Sequence, residues 1–328
     1  MDAMPVFDVK RPTTMAEAAT LLATAGARII AGGTDLVPNL RRGLERPATL
    51  VDVTGIGALD TLSLDATPRI VGAGVTLAAI AANARIAQEY PALAQAASAV
   101  AGPAHRNAAT LGGNLCADTR CVFYNQSEWW RASNRYCLKR GGDTCHVAPQ
   151  GARCHAAFSG DLAPALIALD AEVELVSAGA TRRLPLAALY RDDGAAHLTL
   201  APGELLARVR LPRAAAGTRS GYRKARVRGS IDFPLAGVAI ALALDGPLLT
   251  RLRVALTGTN SQPLALEGTE ALLGRAPDAA LLAALGKLVS KQVSPMRTTA
   301  TPSNYRRQVA SVLAQRLLRE LAGAGEGS

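Results

Sequence analysis

Residues 31–36 read Ala31-Gly32-Gly33-Thr34-Asp35-Leu36, directly after the short β-branched run from Arg28 to Ala31. A glycine pair at the end of an expected strand admits positive φ and lets backbone N–H groups approach a ligand, while threonine and aspartate add polar side chains. A second pair stands at Thr110-Leu111-Gly112-Gly113-Asn114. Each segment could cradle an anion such as a diphosphate, and each could equally be an ordinary turn. Neither is G-x-G-x-x-G or a P-loop, so a dinucleotide Rossmann fold and a P-loop ATPase both lose ground.

Working outward, the spacing of Ala18, Leu21, Leu22 and Ala25 predicts a helix over 14–25, with Thr13 or Thr14 as its N-cap. A short helix through Leu40 follows, then strands over 49–53 and 69–74 and helices over 77–87 and 92–101. This alternation predicts an α/β or α+β nucleotide-binding domain rather than a bundle or sandwich. A helix over 161–170 and a strand over 172–176 continue it. Prolines and glycines then punctuate a transitional region, where a domain boundary is expected. Beyond it come strands over 222–227, 236–244 and 252–256, helices over 281–293 and 305–321, and a frayed tail, Gly-Ala-Gly-Glu-Gly-Ser. No apolar run approaches the length of a membrane span.

Four of the five cysteines, Cys121, Cys137, Cys145 and Cys154, fall in one polar stretch with spacing C-x15-C-x7-C-x8-C; Cys116 lies just upstream. The N-terminal sequence has no apolar leader, which argues against secretion and hence against disulfides, and points to a cytoplasmic protein. The gaps fit neither the close pairs of structural zinc sites nor the tight run of bacterial ferredoxins. Zinc and [4Fe-4S] stand level on the cysteines alone, with His146 and His155 as alternative ligands or ordinary loop histidines. Metal ligation would tie down a segment too long to persist as a structureless loop.

Lys and Arg total 36 against 26 Asp and Glu, a formal net charge of +10. The densest basic run, Arg219 to Arg228, lacks aromatic interleaving and any helix-turn-helix or zinc-finger frame, so nucleic acid is not expected. It reads as a strand with a solvated face, or as a site for an acidic partner or phosphate-bearing ligand.

In order, AGGTDL, TLGGN, DLAPALIALDA and YRKARVRGSIDFPLAGVAIAL resemble the FAD-binding medium subunits of the xanthine oxidase and carbon monoxide dehydrogenase family, from about residue 5 to 320. The resemblance implies an α+β chain: a two-lobed FAD-binding domain of the vanillyl-alcohol-oxidase-like type (1–178), a connecting region (179–214), a C-terminal α+β domain with an antiparallel sheet and helices (215–322) and a tail (323–328). The cysteine stretch, at about 117–158, separates motifs that adjoin in most members. It is similar to the insertion of the 4-hydroxybenzoyl-CoA reductase β subunits, a branch of that family whose extra loop holds a [4Fe-4S] cluster.

That likeness implies Cys121, Cys137, Cys145 and Cys154 as cluster ligands and Cys116 as a small buried residue. For FAD it implies Ile29, Ile30, Ala31, Gly32, Gly33, Thr34, Asp35 and Leu36 around the diphosphate, and Thr110, Leu111, Gly112, Gly113 and Asn114 in the second loop. Asp161 falls on the adenosine or ribityl side, with Val100 and Leu206 also along the cofactor. Lys224 falls near the flavin ring, where a cation favours the anionic reduced form. Catalytic residues are expected on another chain. The implied partners are a large molybdenum-cofactor subunit, a small subunit with two [2Fe-2S] clusters, and ferredoxin as donor, in a dimer of heterotrimers. The implied reaction is reductive dehydroxylation of 4-hydroxybenzoyl-CoA. An oxidative molybdenum hydroxylase and a zinc-stabilised binding module are the rivals. The pair Trp129-Trp130 is read as packing of the inserted loop, with partner docking or shielding of the cluster as the alternative.

Overall fold

The computed structural model describes residues 4–298 and 301–323, so apart from Gly323 the expected tail lies outside the described residues. The first lobe holds β1 (Asp8–Lys10), α1 (Met15–Leu22), β2 (Ala27–Ile30), α2 (Leu36–Arg41) and β3 (Thr49–Asp52). Its three strands are parallel in the order β1-β3-β2, with Asp8 and Ala27 both opposite Thr49. Thr14 caps α1, its hydroxyl accepting from the Glu17 N–H while the Glu17 carboxylate accepts from the Thr13 N–H.

The second lobe is built on β4 (Leu62–Ser63), β5 (Arg69–Gly72), β6 (Glu172–Val176), β7 (Thr181–Pro185) and β8 (Leu205–Leu211), antiparallel in the order β4-β5-β8-β6-β7. Between β5 and β6 run α3 (Leu77–Ala82), α4 (Ala84–Glu89), α5 (Pro91–Ala99), α6 (Pro103–Ala108), α7 (Leu111–Leu115), α8 (Glu128–Ser133) and α9 (Leu162–Ala168). The helix expected over 77–87 is two helices. Asn83 leaves the helical region to end α3, and its side-chain oxygen accepts from the Ile86 N–H to start α4.

Residues 179–214 are not a connection. They supply β7 and β8, and β8 sits in the middle of the sheet between β5 and β6. Its arginines face glutamates across the ladder: Arg208 pairs with Glu174 and Arg210 with Glu172. The prolines and glycines of this stretch mark turns between strands.

The C-terminal unit comprises β9 (Arg219–Ala225), β10 (Ala236–Asp245), β11 (Leu248–Thr257), β12 (Leu264–Ala265), α10 (Ala279–Gln292) and α11 (Ser303–Ala322). Its sheet is antiparallel, ordered β12-β11-β10-β9. β10 is apolar from Ala236 to Leu244 because both its faces are covered there. Ala239 and Ala241 join the core of the N-terminal lobes, where α9 approaches; Val238, Ile240 and Leu242 join the core with α10 and α11. Burying each of these branched side chains is worth on the order of 1.5–3 kcal/mol. The alanine face leaves room for the helix. The two units are thereby joined through one strand.

The cysteine insertion is closed at its base by a two-way bridge, Arg120 N–H to the Ala157 carbonyl and Ala157 N–H to the Arg120 carbonyl, both 2.7 Å. It has a small core of its own, in which Leu44, Tyr124, Ala156 and Met296 pack with Cys121 and Cys154. No helix among the described residues is long and apolar enough to cross a membrane.

Candidate cofactor cleft and cysteine cavity

A cleft of about 800 Å³ opens between the lobes and the start of the C-terminal unit. That is enough for a large, mostly buried cofactor. Ile29 to Leu36 border it, together with Val100, Thr110, Gly112, Gly113, Asn114, Asp161, Leu206 and Lys224. Leu111 does not: its side chain is wholly buried in the main core.

The two glycine segments play different parts. In the second, every N–H from 111 to 114 is already used: Leu111 donates to Val75, Gly112 to Ala73, Gly113 to the Thr110 hydroxyl and Asn114 to the Thr110 carbonyl. Thr110-Asn114 is thus a capped helix start and not the anion cradle its composition suggested. In the first, the N–H groups of Gly32, Gly33 and Thr34 have no partner among the described residues and border the cleft. Gly33 has φ +67°, and a Cβ on Gly32 would lie 1.8 Å from the Ala108 carbonyl oxygen. Only glycine allows this approach of β2 to α6 and this turn into α2. The backbone donors left free in the two glycine segments are therefore those of 32–34.

Asp35, expected as a cofactor residue, is held by the insertion. It forms an ion pair with Arg120 and accepts from the Asp118 N–H at 3.1 Å. Asp161 is buried and accepts from the Tyr222 hydroxyl and, at 2.8 Å, from Lys224 Nζ. Burial pushes the Asp161 carboxyl up, against the pull of Lys224. The cation expected near the flavin ring is thus half of an ion pair. In the basic run, Arg223 pairs with Glu320 and Arg228 with Asp232, while Arg219 and Arg226 donate to the Leu321 and Ala99 carbonyls.

His197 borders the cleft, its Nε2 3.0 Å from the Ala117 carbonyl, and burial holds its pKa at about 4, below the ordinary 6.5. Between those values the unfolded chain binds the proton and the folded one does not. Stability is therefore full above 6.5 and falls as pH drops towards 4, by on the order of 3 kcal/mol at ~1.4 kcal/mol per unit. His197→Gln, which can still donate to Ala117, should flatten this slope in denaturant titrations of the cofactor-free protein between about pH 7 and 4.5. An unchanged slope would exclude His197 as its source.

Cys121, Cys137, Cys145 and Cys154, spread over a stretch of more than thirty residues, all face one small cavity. All are free thiols. The N–H groups of Phe123 and Tyr124 point at the Cys121 sulfur, and the Ala156 N–H donates to the Cys154 sulfur at 3.4 Å. Burial nonetheless pushes both thiols up, Cys154 to about 11. Among the described residues no group of three or more His, Cys, Asp or Glu side chains is arranged to hold a metal ion. His146 borders the cavity, but its Nε2 is engaged with the Tyr136 carbonyl at 2.7 Å; His155 does not border it. Cys116 borders the FAD cleft instead, its thiol pushed up to about 12 by burial. Trp130 packs on Phe123, and Phe123 on His146, whereas Trp129 is 76% exposed.

Arg120, Lys139, Tyr222 and His197 escaped the sequence reading. Lys139, placed between Cys137 and Cys145, is the one whose position in the chain could have signalled a role.

A two-lobed cleft bordered by a glycine turn with free N–H groups, and backed by a separate α+β unit, suits a large cofactor with an anionic group. Residues 5–214 match the family model for the FAD binding domain in molybdopterin dehydrogenase, and residues 220–321 match that for the CO dehydrogenase flavoprotein C-terminal domain. The chain belongs to this family of FAD-binding subunits of molybdenum hydroxylases and dehydrogenases, and FAD is its cofactor. The aldehyde oxidoreductase FAD-binding subunit of Escherichia coli (strain K12) is 36% identical over 293 residues, covering 84% of this chain and 88% of that protein. The carbon monoxide dehydrogenase medium chain of Afipia carboxidovorans is 28% identical over 313 residues, 94% of each chain. The crystal structure of cyanide-inactivated Cu,Mo-CO dehydrogenase contains a chain that superposes with a TM-score of 0.81 at 25% identity, over 98% of this chain and 100% of that one.

Proposed function

We propose that this chain is the electron-transfer subunit of a molybdenum-dependent aldehyde oxidoreductase, carrying FAD in the cleft and a [4Fe-4S] cluster on Cys121, Cys137, Cys145 and Cys154. The observation that carries the cluster is the convergence of these four thiols on one cavity beside the cofactor cleft. A four-iron cluster takes four cysteine thiolates, the number this cavity gathers. The backbone N–H groups aimed at the Cys121 and Cys154 sulfurs suit thiolates that carry charge when ligated.

Bound FAD supplies the exchange between paired and single electrons. The protein's own part is to hold and insulate. The N–H groups of Gly32, Gly33 and Thr34 take the diphosphate, and the Asp161–Lys224–Tyr222 wall presents polar groups without a free charge. The Asp35–Arg120 pair ties the cradle to the residue before Cys121. Substrate chemistry belongs to a large molybdenum subunit, and a small subunit with two [2Fe-2S] clusters links it to the flavin, in a dimer of heterotrimers.

The aldehyde reading follows the relative at 36% identity. The inserted cysteines also suit the reverse flow, in which reduced ferredoxin drives reductive dehydroxylation of 4-hydroxybenzoyl-CoA. Anaerobic mixing of the purified complex with an aldehyde should bleach the flavin, and 4-hydroxybenzoyl-CoA with reduced ferredoxin should give no benzoyl-CoA. The opposite pair of results would establish the reductive reaction.

A further inference from the structure

Lys139 borders the cavity of the four cysteines, while Asp118 borders the FAD cleft. The two form an ion pair at 2.5 Å, with the Lys139 side chain 6% exposed. Lysine is buried this deeply almost only when paired. Its ammonium also donates to the carbonyl and hydroxyl of Thr119 and stands 4.6 Å from the centre of the Tyr124 ring. Of the carboxylate, Oδ2 is buried with no hydrogen-bond partner, and the Asp118 N–H donates to Asp35 in the cofactor segment. The ion pair thus sits in the partition between the two sites, and its cation acts on the Cys154 thiol of the cavity as well as on His197 of the cleft.

We propose that the Lys139 ammonium, held beside the four thiols by Asp118 and Thr119, raises the potential of the cluster and so favours electron flow from flavin to cluster. The inference rests on the cluster reading above. Reducing the cluster by one electron adds a negative charge beside Lys139, which the cation favours in a poorly solvated site. A raised cluster potential opposes the inward path from ferredoxin, for which the cluster must lie below the flavin.

The test is an anaerobic dithionite titration of the full-length chain, following the cluster by electron paramagnetic resonance and the flavin by absorbance. Lys139→Gln, which keeps a donor to Thr119, should shift the cluster to more negative potential, and Lys139→Arg should leave it near the wild type. Asp118→Asn, which leaves the cation without its counter-charge, should shift the cluster to more positive potential. An iron-replete Lys139→Gln protein with an unmoved cluster potential overturns the proposal. If Lys139→Gln does not load iron, the cluster shift in Asp118→Asn decides, and an unmoved cluster potential overturns it. A wild-type chain that holds no iron under any condition removes the cluster reading and the proposal with it.

Discussion

Serine in place of Cys121, Cys137, Cys145 or Cys154 should give a protein that keeps FAD and has lost about four iron atoms per chain, whereas Cys116→Ser should keep both. The four sulfurs share one cavity in a segment closed off by the Arg120–Ala157 bridge and packed on its own small core, so losing the cluster need not disturb the lobes that hold the flavin. Cys116 borders the other site and is out of reach of that cavity's lining. Iron, acid-labile sulfide and flavin measured on each anaerobically purified variant check this. An iron-free Cys116→Ser protein, or a full iron complement in any of the other four, contradicts the ligand assignment.

Valine at Gly33 or Gly113 should abolish FAD binding, for two different reasons. At Gly33 the φ of +67° is a conformation that a β-branched residue resists, and the new Cβ would sit 3.0 Å from the Val37 side chain. The free N–H groups of the cradle would then turn away from the cleft. At Gly113 no protein atom but the Thr110 hydroxyl, 3.1 Å away, lies near a new Cβ, and the residue borders the cleft. There the branched side chain would occupy space that belongs to the cofactor, while the fold stays intact. Flavin content and thermal unfolding distinguish the cases: Gly113→Val should lose flavin with the apoprotein melting temperature little changed, and Gly33→Val should lose both flavin and stability. Normal flavin content in either variant would return that segment to the role of a plain turn.

The local devices of this fold were legible in the sequence. The β-branched run before Gly32-Gly33, the Thr14 cap and the apolar stretch of β10 each carry their own signal within a few residues, and all appear in the structure at or close to the expected positions. What was illegible depended on distant partners. The prolines and glycines of 179–214 made it look like a connection, because the glutamates that hold the arginines of β8 in the sheet lie on β6 some thirty residues away in the chain. The same holds for the basic run at 219–228, whose acids come from α9, α11 and the following loop. Gly112-Gly113 looked like a second cradle because composition does not say whether an N–H is already used. At the candidate site the four cysteines were found by clustering alone. Lys139 and Asp118 were passed over since an ordinary lysine and aspartate acquire meaning only from the partition they sit in.

The most direct test of the account is the metal and flavin content of the wild-type chain purified without oxygen, read together with its electron paramagnetic resonance after reduction. The account predicts about four iron and four labile sulfide atoms for each FAD, with a signal that appears on one-electron reduction of the cluster. Stoichiometric zinc in a chain without iron, or FAD in a chain whose four cysteines stay titratable as free thiols, would contradict it.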